Sequence, residues 1–353
     1  MIALNINGKD VFAKENQTVL QAARDNGIEI PTLCYLEGVN EIASCRVCVV
    51  QIEGRQALAA SCETKVREGM VILTESEAVV QARKTALRLI LANHKRDCDK
   101  CLKNGECELQ ALLEKYHIES SDYPKTESKR PHPLVAGSPF LQYDPALCIT
   151  CQRCVSTCAK VTGRKAIRLG QNGKNLRIRA PFGPDWKETL CESCGCCAQN
   201  CPTGALVDVR RRDYKISEVK KVRTTCPHCA VGCQMDLLVK NDRIVAVQGA
   251  DGASNHNRLC VKGRFSSSKF VHSPDRLTTP LIKNRMTGEF REASWDEALN
   301  LVASKFTQLK NQYGGEVLAG FACSRSTNED IYMLQKMVRT AFGSNNTDNC
   351  ARV

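Results

Sequence analysis

A run of four cysteines, Cys148-x2-Cys151-x2-Cys154-x3-Cys158, recurs 43 positions further on as Cys191-x2-Cys194-x2-Cys197-x3-Cys201-Pro202. Nothing else in the sequence constrains the fold so strongly, because soft thiolates at two- and three-residue spacing select iron–sulfur clusters or zinc. Three more groups share that character. Cys34, Cys45, Cys48 and Cys62 are spaced C-x10-C-x2-C-x13-C. His94, Cys98, Cys101 and Cys107 follow H-x3-C-x2-C-x5-C, and Cys226, Cys229, Cys233 and Cys260 follow C-x2-C-x3-C-x26-C. Together the five groups use 19 of the 22 cysteines in a chain of 353 residues. Cys196 falls outside the spacing and reads as a spare, packed thiol.

So many cysteines invite a disulfide framework, but the first residues, MIALNINGKDVFAKENQ, show no basic segment leading into an apolar one and no twin-arginine signal. No window of 18 apolar residues occurs that could span a membrane. The expectation is a cytoplasmic protein, where thiols stay reduced and cysteine clusters mean metal. The formal charge of +12 suggests a nucleic-acid partner. That count treats every thiol as neutral. Five clusters with their thiolates would add roughly nine negative charges, so no nucleic-acid partner is expected. The remaining Lys and Arg are free to stabilise reduced clusters or to meet cofactor phosphates.

The pattern along the chain implies an α+β, multidomain protein. Residues 1–78 open with two alternating strands around Asn7-Gly8, a hairpin signal, and a helix with Thr18 as N-cap and Gly27 at its C-terminal end. Residues 79–118 read as largely helical, with apolar positions at Leu87, Ile90, Leu91, Leu109, Leu112 and Leu113. A Pro/Ser-rich linker is expected over 119–140, and the cysteine repeat occupies 141–212. Residues 219–275 hold the last cysteine group, with two strands around an Asn-Asp turn between Cys233 and Cys260. From 276 to 353 a capped helix (SWDEALNLVASKFTQLKNQYGG), a buried strand (VLAGFA) and a second capped helix (TNEDIYMLQKMVRTAFG) suggest the start of an α/β domain.

The first group, behind its hairpin and helix, resembles a β-grasp ferredoxin holding a [2Fe–2S] centre; a zinc ribbon is the alternative. The second resembles the [4Fe–4S] site with one histidine and three cysteines of respiratory NADH dehydrogenase and [FeFe]-hydrogenase; a three-cysteine zinc site is the alternative. The repeat is similar to the bacterial two-cluster ferredoxin run, although the first copy lacks the Pro after Cys158. That resemblance implies crossed ligation: Cys148, Cys151, Cys154 and Cys201 on one [4Fe–4S], and Cys191, Cys194, Cys197 and Cys158 on the other. The fifth group, again with zinc as the alternative, implies one more [4Fe–4S].

CPHCAVGC…LCVKGRF, SPDRLTTPLIK, ASWDEAL and SRSTNEDIYMLQKMVRTAFGSNNTDNCARV resemble the molybdenum or tungsten bis-pterin oxidoreductases of the formate dehydrogenase and nitrate reductase superfamily. The arrangement as a whole resembles the N-terminal part of the alpha subunit of cytoplasmic formate dehydrogenases. The resemblance implies five clusters, a Mo or W bis-pterin guanine dinucleotide, and interconversion of formate and CO2. It places Lys262 between a cluster and a pterin, and brings Asn346, Asp348 and the Cys350–Val353 backbone toward the pterin; surface solvation for Lys262 and turn chemistry for the others are the plainer readings. It places no catalytic ligand within the chain. A selenocysteine or cysteine, then a histidine, is expected directly after Val353, and an in-frame UGA is one account of an ending there. The implied partners are flavin NAD(P) reductase or hydrogenase subunits, or ferredoxin, within a hetero-oligomeric complex. Competing readings are a relay subunit like that of NADH dehydrogenase, an [FeFe]-hydrogenase, though nothing after Cys201 resembles its catalytic motifs, and a basic zinc protein.

Overall fold

The computed structural model describes residues 1–124, 138–172, 175–179 and 189–351. It divides into two compact units, residues 1–219 and 220–353.

The first unit begins with β1 (Ile2–Ile6) and β2 (Lys9–Ala13), an antiparallel pair. Asn7 (φ 55°) and Gly8 (φ 82°) make the left-handed two-residue turn that matches strand twist. Helix α1 (Val19–Asp25) follows, its first turn closed by a capping box between Thr18 and Gln21. Strands β3 (Val49–Ile52), β4 (Ala59–Ala60) and β5 (Val71–Leu73) complete a five-stranded sheet of order β2-β1-β5-β3-β4, with β5 parallel to β1. Leu4, Ile6, Val11, Val19, Leu20, Val50 and Ile72 form its core. A hairpin, a helix across it and a late strand parallel to the first are the β-grasp topology.

Helices α2 (Glu77–Ala92) and α3 (Glu108–Lys115) pack Leu87, Leu91, Leu109 and Leu113 together with Leu33 and Val47. Residues 93–107, which hold the cysteines, form turns and a short 3-10 segment, so the helical reading of this region holds only at its flanks. Loop geometry is what three closely spaced thiols need to face one point. Fully buried Arg83 ties the layers together: its guanidinium donates to Glu75 Oε1 (2.7 Å), Tyr116 Oη (3.0 Å) and Val49 O (2.9 Å). The linker expected over 119–140 lies outside the described residues from 125 to 137; before that, Ser121 Oγ donates to Arg88 O (2.8 Å) and stays on α2.

The cysteine repeat is built from very short elements: β6 (Leu141–Tyr143), α4 (Arg153–Ser156), the hairpin strands β7 (Arg168–Asn172) and β8 (Asn175–Arg179), α5 (Cys196–Gln199) and β9 (Leu206–Asp208), which pairs with β6.

In the second unit, β10 (Lys220–Thr225), β11 (Gln234–Lys240) and β12 (Arg243–Gly249) form an antiparallel sheet, with Asn241 and Asp242 both left-handed in the expected turn. Helices α6 (Val261–Phe265) and α7 (Ser267–Val271) follow, then the ribbon β13 (Leu281–Lys283) and β14 (Phe290–Glu292). Helix α8 (Trp295–Tyr313) is capped by Ser294 and ends at Gly314 (φ 87°). Strand β15 (Gly320–Ala322), helix α9 (Asn328–Met337) and strand β16 (Thr347–Asn349) make a crossover, because β15 and β16 pair in parallel. The strand expected to be buried over 317–322 is buried only at Leu318 and Gly320, whereas Phe321 is 79% exposed. An apolar run marks a strand whether one of its faces is covered or both, so the sequence overstated its burial.

Candidate metal centres

In the first group the four thiols stand two by two. Cys48 Sγ and Cys62 Sγ lie 3.3 Å apart, and the Cys34 and Cys45 thiols hydrogen-bond to one another. Ala43 (φ 49°) and Arg46 (φ 57°), on either side of Cys45, are left-handed and bend the loop that carries it. The Cys45 thiol, helped by backbone N–H groups of Cys45 and Ser44, holds Cys34 down to about 5 against its burial. Cys62 with Ser61 does the same to Cys48, to about 6, while Cys45 and Cys62 are themselves pushed up by their thiol partners and by burial. Two pairs of thiols suit a binuclear centre, one pair to each metal.

Cys98, Cys101 and Cys107 gather beside α3. Burial raises the Cys107 thiol to about 11, with the neighbouring Cys101 and Cys98 adding to the rise and the N–H groups of Gln110 and Leu109 opposing it. His94 sits just past the C-cap Asn93, its backbone N–H on Leu91 O (3.0 Å).

The repeat is a structural one as well. Thr150 and Ser193, at matching places in the two runs, are both left-handed, and so are Gln152 and Gly195. The N–H of Thr150 reaches Cys148 Sγ at 3.4 Å, and the N–H of Ser193 reaches Cys191 Sγ at the same distance. Each loop therefore winds inward around its sulfurs and presents N–H groups to them. The structure brings the fourth cysteine of each run to the opposite set. Burial raises Cys151 to about 12, and the next-largest contribution is the charge of Cys201. Cys154 is likewise raised by burial and then by Cys201, whereas Cys197 is raised by burial, Cys191 and Cys158. Cys158, Cys191, Cys194 and Cys197 line one cavity with Thr157, Thr162 and Arg164. Cys196 is buried and hydrogen-bonds the Cys194 thiol, the packed position expected of it.

The fifth group surrounds the base of the β11–β12 hairpin. Burial raises Cys226, and Cys260 and Cys229 add to it; Cys233 feels Cys226, Cys229 and Cys260. A β-carbon on Gly263 would lie 3.3 Å from Cys226 Sγ, so the glycine lets α6 pass close to the sulfur. Among the described residues no three His, Cys, Asp or Glu close on a single bare ion, and the sulfurs of Cys158, Cys191, Cys194 and Cys197 border a cavity instead. That donor set, all thiolate but for one imidazole, fits iron–sulfur clusters, which bring their own sulfides.

Lys262 lies exposed on α6. Asn346 donates from Nδ2 to Glu316 O (2.8 Å), and Asp348 Oδ1 accepts from the N–H of Asn349 (2.8 Å). The Asp348 bond is a local turn contact, whereas the Asn346 bond reaches 30 residues back along the chain. Residues 352 and 353 of the expected pterin-facing backbone lie outside the described residues. Sequence reasoning passed over Cys323 and singled out Cys350 only for its backbone. Each follows a paired strand end, Ala322 opposite Asn349, so they become neighbours only through the parallel register. Ser324 bonds Cys350 Sγ through its N–H (3.4 Å) and hydroxyl (3.2 Å), which lowers the thiol.

Residues 1–77 match the 2Fe-2S iron-sulfur cluster binding domain, and residues 83–122 the NADH-ubiquinone oxidoreductase-G iron-sulfur binding region. Residues 219–272 match the molybdopterin oxidoreductase Fe4S4 domain, and residues 276–353 the molybdopterin oxidoreductase family. The NADPH-Fe(3+) oxidoreductase subunit alpha of Geobacter sulfurreducens is 35% identical over 357 residues, covering 100% of this chain and 40% of the relative. A Staphylococcus haemolyticus protein provisionally named a formate dehydrogenase is 32% identical over 393 residues, covering 99% of this chain and 39% of its own. This chain thus spans about 40% of the length of these relatives. A crystal structure of an NAD+-reducing [NiFe]-hydrogenase in the H2-reduced state is similar at a TM-score of 0.55 and 30% identity, over 59% of this chain and 87% of that one.

Proposed function

We propose, for a chain that belongs to the molybdopterin oxidoreductases with iron–sulfur domains, that it is the electron-transfer portion of a formate dehydrogenase or CO2 reductase. The observation that carries this reading is the gathering of thiols from five separate sequence groups, the last of them leading straight into the molybdopterin-oxidoreductase segment. In it Cys34, Cys45, Cys48 and Cys62 hold a [2Fe–2S]; His94, Cys98, Cys101 and Cys107 hold one [4Fe–4S]. The two crossed sets of the repeat and the group ending at Cys260 hold three more. Modules run over 1–78, 79–118, 141–212, 219–275 and from 276 onward. Such clusters supply one-electron storage and transfer, and a pterin-held molybdenum or tungsten supplies two-electron exchange with substrate.

The residues around the thiols do the protein's share. N–H groups such as those of Thr150 and Ser193 donate to the sulfurs of Cys148 and Cys191. Lys262, two residues past Cys260, sets a positive charge beside the fifth group and is the residue we place between it and a pterin. Asn346 and Asp348 hold the backbone that would face the pterin.

A second reading is a relay subunit delivering electrons to or from an NAD(P)-linked or hydrogenase partner, favoured by similarity to the Geobacter alpha subunit and the hydrogenase chain. Anaerobically prepared protein should contain roughly 18 irons, two in the binuclear centre and four in each cubane. Stoichiometric zinc in place of iron and acid-labile sulfide would sink both readings. The complete gene product should reduce a viologen dye with formate; reduction with NADPH and not with formate selects the relay reading.

A further inference from the structure

Asn40 is 0% exposed, and its side chain bonds the backbones of two of the cysteine groups at once. Its Nδ2 donates to Cys34 O (2.7 Å) and to Cys151 O (3.0 Å), which lies 111 positions away in sequence. Its Oδ1 accepts from Ser156 Oγ (2.6 Å). Both amide hydrogens are therefore spent on carbonyls, and the opposite orientation would set oxygen against two oxygens. The backbone is held as firmly. Asn40 N donates to Leu36 O (2.7 Å) and Leu36 N to Asn40 O (2.9 Å), closing the loop that follows Cys34. A buried carboxamide costs stability unless bonded, and one that only locked its own loop would need Cys34 alone. Here the second donor crosses to Cys151, and the acceptor is met by Ser156, on the same helix as Cys154.

We propose that Asn40 is a positioning residue that couples the first thiol group to the Cys148–Cys151–Cys154–Cys201 group. It joins the backbones of Cys34 and Cys151 in one hydrogen-bonded bridge and fixes the separation across which a single electron passes. This rests on the reading that both groups hold clusters. One electron leaves the Cys34 side and one arrives at the Cys151 side; no covalent bond forms or breaks and no proton moves. The bridge makes the pair a direct connection.

The test uses the full chain, loaded and anaerobic, with one electron injected by flash photoreduction and its redistribution followed by freeze-quench EPR. Asn40→Leu should keep the iron content and both midpoint potentials but slow transfer between the two centres about tenfold, because small misplacements of reacting partners cost rate steeply. A purely structural asparagine would leave the transfer rate unchanged, and an unchanged rate with both EPR signals intact overturns the proposal. If Asn40→Leu loses a centre, Ser156→Ala decides: it leaves both amide donors and removes only the group that orients them. Slowing of about threefold with both signals retained supports the bridge, and no slowing overturns it. Failure of the cluster reading is distinct, since the unsubstituted protein would then show neither signal.

Discussion

At Gly204 a β-carbon would lie 2.6 Å from Cys101 Sγ and 3.4 Å from side-chain atoms of Leu147 and Lys103. This one missing methyl lets the segment after the second cysteine run lie directly against the second group. The same seam is stitched by Arg153, which grips Glu108 with two bonds (2.6 and 2.9 Å), and by Arg211, which donates to Leu102 O (2.9 Å) and pairs with Glu106 (3.3 Å). Because those partners fix the backbone on both sides, an added methyl cannot be absorbed by a shift of the segment, and the sulfur must move. Gly204→Ala is therefore expected to lose one cubane, about four irons per chain, with the [2Fe–2S] signal unchanged. Iron analysis and EPR check it; full iron content would show that Cys101 does not hold a cluster in the position its sulfur occupies here.

Among the elements, Leu87 of α2 is 0% exposed and meets Leu33, Val47, Leu109 and Leu113 beneath the loop that carries Cys98 to Cys107. Leu87→Ala should destabilise the first unit by about 2–5 kcal/mol, the usual cost of a large buried truncation, read as a lower denaturation midpoint at fixed iron content. A shift under about 0.5 kcal/mol, the size of a surface change, would place Leu87 outside the core. Elements of this kind were legible because their signals are local. Asn7-Gly8, Thr18 with Gln21, Asn241-Asp242 and Ser294 each specify a turn or a cap within four residues. The cysteine spacings were legible for the same reason, and even the left-handed positions of the two runs repeat with the sequence. What distance along the chain hides was not legible. Asn40 carries no ligand chemistry, and its link to Cys151 exists only in the folded chain. Cys323 and Cys350 meet through strand register, and the exposed face of β15 depends on what covers it, which an apolar run does not encode.

Across the whole molecule, the two ends of the first unit are held by different forces. The N-terminal sheet has an apolar interior of Ile6, Leu20, Val50 and Ile72, each 0% exposed and each contributing roughly 1.5–3 kcal/mol by burial. The repeat instead folds around sulfur: α4 and α5 are four residues each, and β6 and β9 three, all far below the length at which such elements hold by themselves. Its thiols are crowded as well, and burial and neighbouring thiols push Cys154 and Cys197 upward. Metal binding in such a segment is folding free energy. Stripping iron with an anaerobic chelator should therefore bring backbone amides of 148–158 and 191–201 to near free-peptide hydrogen-exchange rates, while amides of β1, β2 and β5 stay protected. The side chain of Asn40 links the two parts, so the loop around it should loosen with the repeat even though its own sheet stays folded. Simultaneous loss of protection in the sheet and the repeat would mean that the first unit is a single cooperative structure whose stability is set by its metal.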